Sequence, residues 1–431
     1  MNISQPLSLM QIVDKLPPWQ AAQSTADPQK VAQILADVRA RGDAAVHDWT
    51  RELDGVDAPQ LTVPPAIMQQ AWQSVPAADQ RALEHAARNI RAFADAQLQR
   101  MQAFELEIEP GFFVGQRLQP IEKVACYVPG GRYPLPSTVL MTALVAIASG
   151  VEDVVILTPP DRTNPQNAWP NRYILAAAHL AGVRAVYVVG GVQAVAAAAY
   201  GTETIDKVDL IVGPGNAWVT EAKRQVYGAV GIDALAGPSE VMILCDASSD
   251  VRRVAADLLA QAEHDPDAIA IAVTDDAAFA AALAAEVATQ LPELSTKNVA
   301  TASIASHGRI AVVADRAAMV ALANERAPEH LEIHTADSAA LAAQCQHFGG
   351  LFVGGDAAEV FGDYCAGPSH VLPTGRAGRY TGGLGAQTFV RILTTQRADP
   401  QSSAALAATA AQLARIEGLS GHAFAAELRK T

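Results

Sequence analysis

Gln261 and His264 stand three residues apart in QAEHDP, and Glu329 and His330 are adjacent in APEHLEIH. Asp363 follows in FGDYCAGPSHVLP, and Glu417 and His422 lie in the C-terminal EGLSGH. Pooled, these residues offer a divalent metal two imidazoles, an amide and a carboxylate, with an acid–base pair to spare. A mixed N/O set of this kind leaves metal positions open to a substrate. The inventory suits redox chemistry on a polar small molecule.

Each fragment also has an ordinary reading. A histidine at a helix C-terminus interacts favourably with the helix dipole, and His264 ends a helix that runs from about Asp250 to the stop at Asp265-Pro266. Asp363 falls in a Gly-flanked loop and His422 in a break between helices, both common surface positions. In PEHLEIHT, Leu331 and Ile333 alternate with His330, Glu332 and His334, the pattern of a half-buried strand. His330 and His334 have a spacing found in zinc sites. His334 reads equally as a solvated strand residue, and Glu329-His330 as an acid–base pair. Cys365 has no base beside it and reads as a small buried residue.

Residues this scattered need a fold to gather them. Near the N-terminus, Asp27-Pro28 caps a helix carrying Val31, Ile34, Leu35 and Val38, which Gly42 can end. A second helical stretch surrounds Leu83, Ala87, Ile90 and Ala94. Phe104, Leu106 and Ile108 alternate with glutamates before Pro110-Gly111, a hairpin signal. From Val124 onward, short β-branched runs alternate with Ala-rich helical segments: VACYV, DVVILT, RAVYVV and KVDLIV, then EVMILC, AIAIAV, GRIAVV and GLFVG. That alternation predicts an α/β fold with two mostly parallel sheets covered by helices. After about Leu384 the chain returns to helix, broken at EGLSGH.

Glycine-rich turns in YVPGGRYPLPST, VVGGVQAVA and IVGPGNAWVT sit between strand and helix, where a parallel sheet presents N–H groups to anions. Tight turn geometry alone explains any one of them; three on one sheet point to a nucleotide cleft. The usual dinucleotide fingerprint with its downstream acid is absent. The 431-residue chain carries a formal charge of −14, with half its residues apolar and 18% charged. This is a globular composition without a basic patch, so neither nucleic acid nor an anionic membrane is expected as partner. No signal peptide or membrane span is evident, and the four dispersed cysteines fit a reducing cytoplasm.

Taken in order, YVPGG, STVLM, VGPGNAWVTEAKRQV, AGPSEV, QAEH, PEHLEI, GDYxxGPSHVLPT and the terminal ExxxxH resemble the histidinol dehydrogenases, over nearly the whole chain from Val31. The resemblance implies zinc held by Gln261, His264 and Asp363, with His422 supplied by the partner of a homodimer. It implies substrate contacts at Ser239, His330 and Glu417 besides the zinc ligands, NAD contacts at Tyr127, Gln193 and Asn216, and a catalytic pair, Glu329 and His330. The implied reaction is the NAD-linked oxidation of L-histidinol through L-histidinal to L-histidine. The expected architecture is two incomplete Rossmann-like domains. A larger discontinuous one (26–126 and 239–380) holds metal and substrate, and an inserted one (127–238) holds NAD. An arm (1–25) precedes them and a helical tail (381–431) follows. His370 and Cys365 are expected to stand apart from the constellation. The rival readings are a relative acting on another amino- or sulfo-substituted alcohol, a zinc hydrolase, and a metabolite-binding scaffold.

Overall fold

The computed structural model describes residues 10–18, 25–58, 60–130, 133–162 and 168–430. Most of the expected N-terminal arm, and Gly131 of the first glycine turn, lie outside the described residues.

An edge strand β1 (Gln11–Val13) comes first, then helices α1 (Pro28–Arg41), α2 (Asp43–Asp54), α3 (Pro65–Ser74) and α4 (Ala77–Leu98). The Asp27 side chain accepts the Gln29 N–H and Pro28 opens the first turn, so α1 begins where its cap requires. The hairpin β2 (Phe104–Glu109) and β3 (Phe112–Pro120) turns at Pro110-Gly111. Next come β4 (Lys123–Tyr127), α5 (Pro136–Val139), a π-helical turn at Leu140–Leu144, α6 (Val145–Ala148), β5 (Asp153–Thr158), α7 (Arg172–Ala181) and β6 (Ala185–Val188). They are followed by α8 (Gly191–Tyr200), β7 (Leu210–Val212), α9 (Ala217–Val226) and β8 (Gly231–Ile232). The strands β4 to β8 form one parallel sheet, ordered β6-β5-β4-β7-β8.

The second series begins with β9 (Glu240–Cys245), α10 (Val251–Ala262), β10 (Ile269–Thr274), α11 (Ala277–Gln290), α12 (Lys297–His307) and β11 (Arg309–Val312). It ends with α13 (Arg316–Arg326), β12 (His330–Ile333), α14 (Ser338–Ala342), β13 (Gly350–Val353) and α15 (Glu359–Tyr364). Its parallel sheet is ordered β1-β11-β10-β9-β12-β13. Leaving β1 aside, both sheets run third, second, first, fourth, fifth in order of appearance. That likeness supports a duplicated unit, although no repeat period is visible in the residues.

Three expectations need correction. The helices between 28 and 98, expected to belong with 239–380, pack on the five-stranded sheet, with Val31, Ile34, Trp49, Met68 and Ile90 in its two cores; of 239–380, Cys365 and Val371 pack against one of those cores. The strand at PEHLEI is buried on both faces. Leu331 and Ile333 join an apolar core, while His330, Glu332 and His334 on the other face are buried too, because helices cover a parallel sheet on both sides. Finally, the chain beyond 384 first forms β14 (Val390–Ala398), which pairs antiparallel with β3. Only then come α16 (Pro400–Ile416) and α17 (Ser420–Glu427).

The two parallel sheets present opposite ends to the site. Tyr127 ends β4, and the turns before α8 and α9 follow β6 and β7, so the first sheet offers its carboxyl edge. Glu240 and His330 begin β9 and β12, so the second offers its amino edge. At the second sheet's own carboxyl edge, Asp246 is ion-paired with Arg316, which also reaches Asp275 at 3.6 Å. Among the described residues no helix is long and apolar enough to cross a membrane.

Candidate active site

The helix α10 runs from its Asp250 cap to Ala262, and its C-terminal turn places Gln261 and His264 together; the His264 N–H donates to the Gln261 carbonyl at 3.3 Å. Asp363 lies on α15, not in a loop, and it is buried. Its Oδ2 is 3.8 Å from His264 Nε2, and its Oδ1 is 3.6 Å from His330 Nε2. One turn earlier on α15, Glu359 brings a third donor, so that His264, Glu359 and Asp363 have ligand atoms within 4.8 Å of one another. Gln261 is fully buried, yet neither its side-chain oxygen nor its nitrogen has a hydrogen-bond partner. Buried amides are rarely left unpaired. An orphaned amide on the same helical turn as a ligand-forming imidazole is what an absent N/O-loving cation would leave behind, and the residues present fit such an ion.

Glu329 and His330 lie at the start of β12. Glu329 Oε2 accepts the Ser239 hydroxyl at 2.6 Å and the Glu240 N–H at 3.0 Å. Burial pushes its carboxyl upward despite those bonds and the neighbouring imidazole. His330 Nδ1 is 3.2 Å from the Glu240 carbonyl, while Nε2 is buried without a partner. Burial alone would lower His330, but the carboxyls of Glu359, Glu329 and Asp363 outweigh it and hold it well above its ordinary value. Asp363 is raised by burial, and His330 more than offsets that, leaving it below the usual carboxylate range.

A cavity of about 1060 Å³ spans the gap between the sheets. Ser239, Glu240 and His264 line one end, and Tyr127, Gln193 and Asn216 line the other. The Tyr127 hydroxyl accepts the Gly191 N–H at 3.1 Å. The Gln193 side chain is buried with its oxygen unpartnered. Asn216 caps α9, accepting from Trp218 and Val219. Gly213, at φ +114°, passes so close to β4 that an added Cβ would stand 2.2 Å from the Tyr127 carbonyl oxygen. This is the close backbone approach for which the IVGPGN turn needs glycine.

Glu417 and His422 are not brought together with the others in the single chain. Both are exposed, at the end of α16 and on α17, and among the described residues neither is bonded to the cluster. Leu413, Ile416, Leu419, Phe424 and Leu428 on the same tail are also exposed, as are Val360, Phe361 and Tyr364 on α15 beside the site.

Three further expectations fail, at His334, His370 and Cys365. His334 is buried, its Nε2 3.1 Å from Glu332 Oε2, and is no solvated residue. His370 does touch the constellation: its Nδ1 is 3.0 Å from the Asp363 carbonyl and its Nε2 3.0 Å from Thr138 Oγ1. Burial lowers its pKa. Cys365 is only partly buried. Sequence reasoning missed Glu359 and Glu240. The i, i+4 spacing of Glu359 and Asp363 was the available signal for the first, and Glu240 gave none beyond its place after Ser239.

The family profile of histidinol dehydrogenase matches residues 19–430. The chain is 41% identical to histidinol dehydrogenase of Pseudomonas syringae pv. syringae (strain B728a), over 97% of this chain and 93% of that protein. It is 42% identical to the Chromobacterium violaceum protein of the same name, over 95% and 94% respectively. The crystal structure of histidinol dehydrogenase from Elizabethkingia anophelis superposes with a TM-score of 0.92 at 31% identity, covering 98% of each chain.

Proposed function

The chain belongs to the histidinol dehydrogenase family, and from that premise we propose that it oxidises L-histidinol through L-histidinal to L-histidine in the cytoplasm, with NAD and one zinc ion per site. The observation that carries this reading is the orphaned Gln261 amide three residues before His264, whose ring gathers with Asp363 and Glu359 and lines a cavity that reaches the first sheet's glycine turns, Asp363 in turn standing 3.6 Å from His330. Gln261, His264 and Asp363 would hold the zinc, whose chemistry is to bind the imidazole and amine nitrogens of the substrate. NAD supplies the hydride acceptor; Tyr127, Gln193 and Asn216 would contact it.

The chain's own residues then divide the proton work. With Nδ1–H donated to the Glu240 carbonyl, His330 presents Nε2 as the base for the alcohol proton. A cation on Asp363 would draw off part of the charge that favours imidazolium, leaving the neutral ring that catalysis requires. Glu329, fixed by Ser239 and the Glu240 N–H, would deprotonate the water that adds to the aldehyde. Ser239 also lines the cavity and would contact the substrate. Binding the substrate by its nitrogens keeps the aldehyde in place between oxidations.

The fourth zinc ligand, His422, and the substrate contact, Glu417, would come from the partner of a homodimer. The exposed apolar residues on the tail and on α15 are the surfaces such a dimer would cover. Mixing Asp363→Ala and His422→Ala chains tests this. Each variant alone should be inactive, but a mixed dimer holds one intact site, so random reassortment should restore about a quarter of wild-type NADH formation from histidinol. No restoration would refute the shared site. No histidinol-dependent NADH from the zinc-loaded wild type would refute the activity.

A further inference from the structure

Beneath the reacting groups lies a second buried polar cluster that the chemistry above does not use. Glu332 and His334 continue the polar face of β12 beyond His330, and Asp257 comes from α10, one turn before Gln261. Their donor atoms lie within 4.8 Å of one another. Glu332 has no exposed surface. Its Oε2 accepts from His334 Nε2 at 3.1 Å, and Asp257 Oδ2 is 3.8 Å from the same nitrogen. Its Oε1 accepts the backbone N–H of Glu359 at 2.6 Å. That N–H opens α15, whose N-cap, Ala358, has no side chain able to bond it. A carboxylate from a neighbouring strand therefore does the capping. Three elements meet at this cluster: β12 carries His330, α15 carries Glu359 and Asp363, and α10 carries Gln261 ahead of His264.

We infer that Glu332, braced by His334 and Asp257, is a positioning residue that ties α15 to β12 and so sets the distance between Asp363 and His330. A hydrogen bond at zero exposure has no water to replace it, so losing it frees the helix that carries the carboxylate ligand. Supports of this kind behind metal ligands are worth ~10-fold or more in metal retention. Asp257, pushed up to about 7 by burial and by the Glu332 charge, keeps its proton on the acid side of neutrality, which lets a second acid pack beside Glu332. The inference rests on the proposed reading of Asp363 as a zinc ligand.

The test compares Glu332→Gln and Glu332→Leu in zinc-loaded, full-length protein. The glutamine oxygen can still accept the Glu359 N–H, so zinc loss to a chelator should stay within about threefold of wild type. Leucine should speed zinc loss ~10-fold or more, lower kcat with KM for NAD unchanged, and raise hydrogen–deuterium exchange in 358–364 above the rest of the chain. Should Glu332→Leu fail to fold, His334→Leu removes the brace instead and should shift the same readouts in the same direction. Wild-type zinc loss with unchanged exchange in 358–364, or exchange raised evenly over the whole chain, would overturn the inference. So would a second zinc equivalent in wild type that vanishes with Glu332, which would make the cluster an ion site. If wild type binds no zinc at all, the parent reading fails, whereas localised exchange in 358–364 would still report the tie.

Discussion

Glu240→Gln should flatten the pH dependence of stability between pH 5 and 8. The Glu240 carboxyl is pushed from its ordinary 4.5 up to about 7, first by burial and then by the charge of Glu329; the Gly375 N–H and Arg326 pull it only partly back. Below pH 4.5 the proton is held in both folded and unfolded chains, and the group contributes its full share. Above that the unfolded chain releases its proton first, while the folded chain must keep one or bury a charge. Stability is therefore lost as pH rises from 4.5 through 7, and the loss levels off above. A gap of about 2.5 pH units at 1.36 kcal/mol each amounts to roughly 3 kcal/mol per chain. For a chain of this length that is ~3 °C in Tm. Glutamine keeps an oxygen for the Gly375 N–H, so the substitution removes the ionisation and spares the bond. Thermal unfolding of zinc-loaded wild type and variant, at one protein concentration across that range, reads the difference directly. Groups that titrate there without facing Glu240, His370 among them, cancel in the comparison. Equal slopes for the two proteins would show that Glu240 does not ionise on unfolding in this window, and the burial argument would fail.

His264→Ala and Asp363→Ala should each lose zinc, by metal analysis, and nearly all activity while circular dichroism stays native; full zinc occupancy in either would remove it from the ligand set. Glu329→Gln should slow histidinal oxidation at least ~10² more than histidinol oxidation, because only the aldehyde step needs an activated water. Single-turnover assays begun from each substrate measure the two, and equal slowing would contradict the division of labour. Gly213→Ala drives a methyl into the Tyr127 carbonyl at positive φ, so a loss of at least ~2 kcal/mol is expected; an unchanged urea midpoint would mean the turn relaxes freely.

What could be read before any coordinates follows physical range. The α/β alternation, the α1 cap at Asp27-Pro28 and the Pro110-Gly111 hairpin are local signals, and each is present in the structure. The strand β14 carries no such mark: its pairing with β3 spans some 270 residues of chain, and period-2 patterning fades when both faces are exposed. PEHLEI misled because alternation ordinarily marks one wet face, whereas here the polar face is buried among its own partners. Asp363 and Glu359 share a face only once α15 is known to be helical. His370 looked idle because its bond to the site runs to the backbone carbonyl of Asp363, an interaction that residue type does not announce. The packing of α1 to α4 on the five-stranded sheet depends on which apolar face meets which, and composition does not decide that.

The opposed orientation of the two parallel sheets has a consequence for ancestry. If both halves descend from one repeating unit, each once owned the same kind of carboxyl-end crevice, where such folds take up ligands. In the second half that edge carries the Asp246–Arg316 ion pair, and the residues gathered at the site come from the opposite rim. On that descent the first copy would have kept its doorway, and the second would meet it with the opposite end of its sheet.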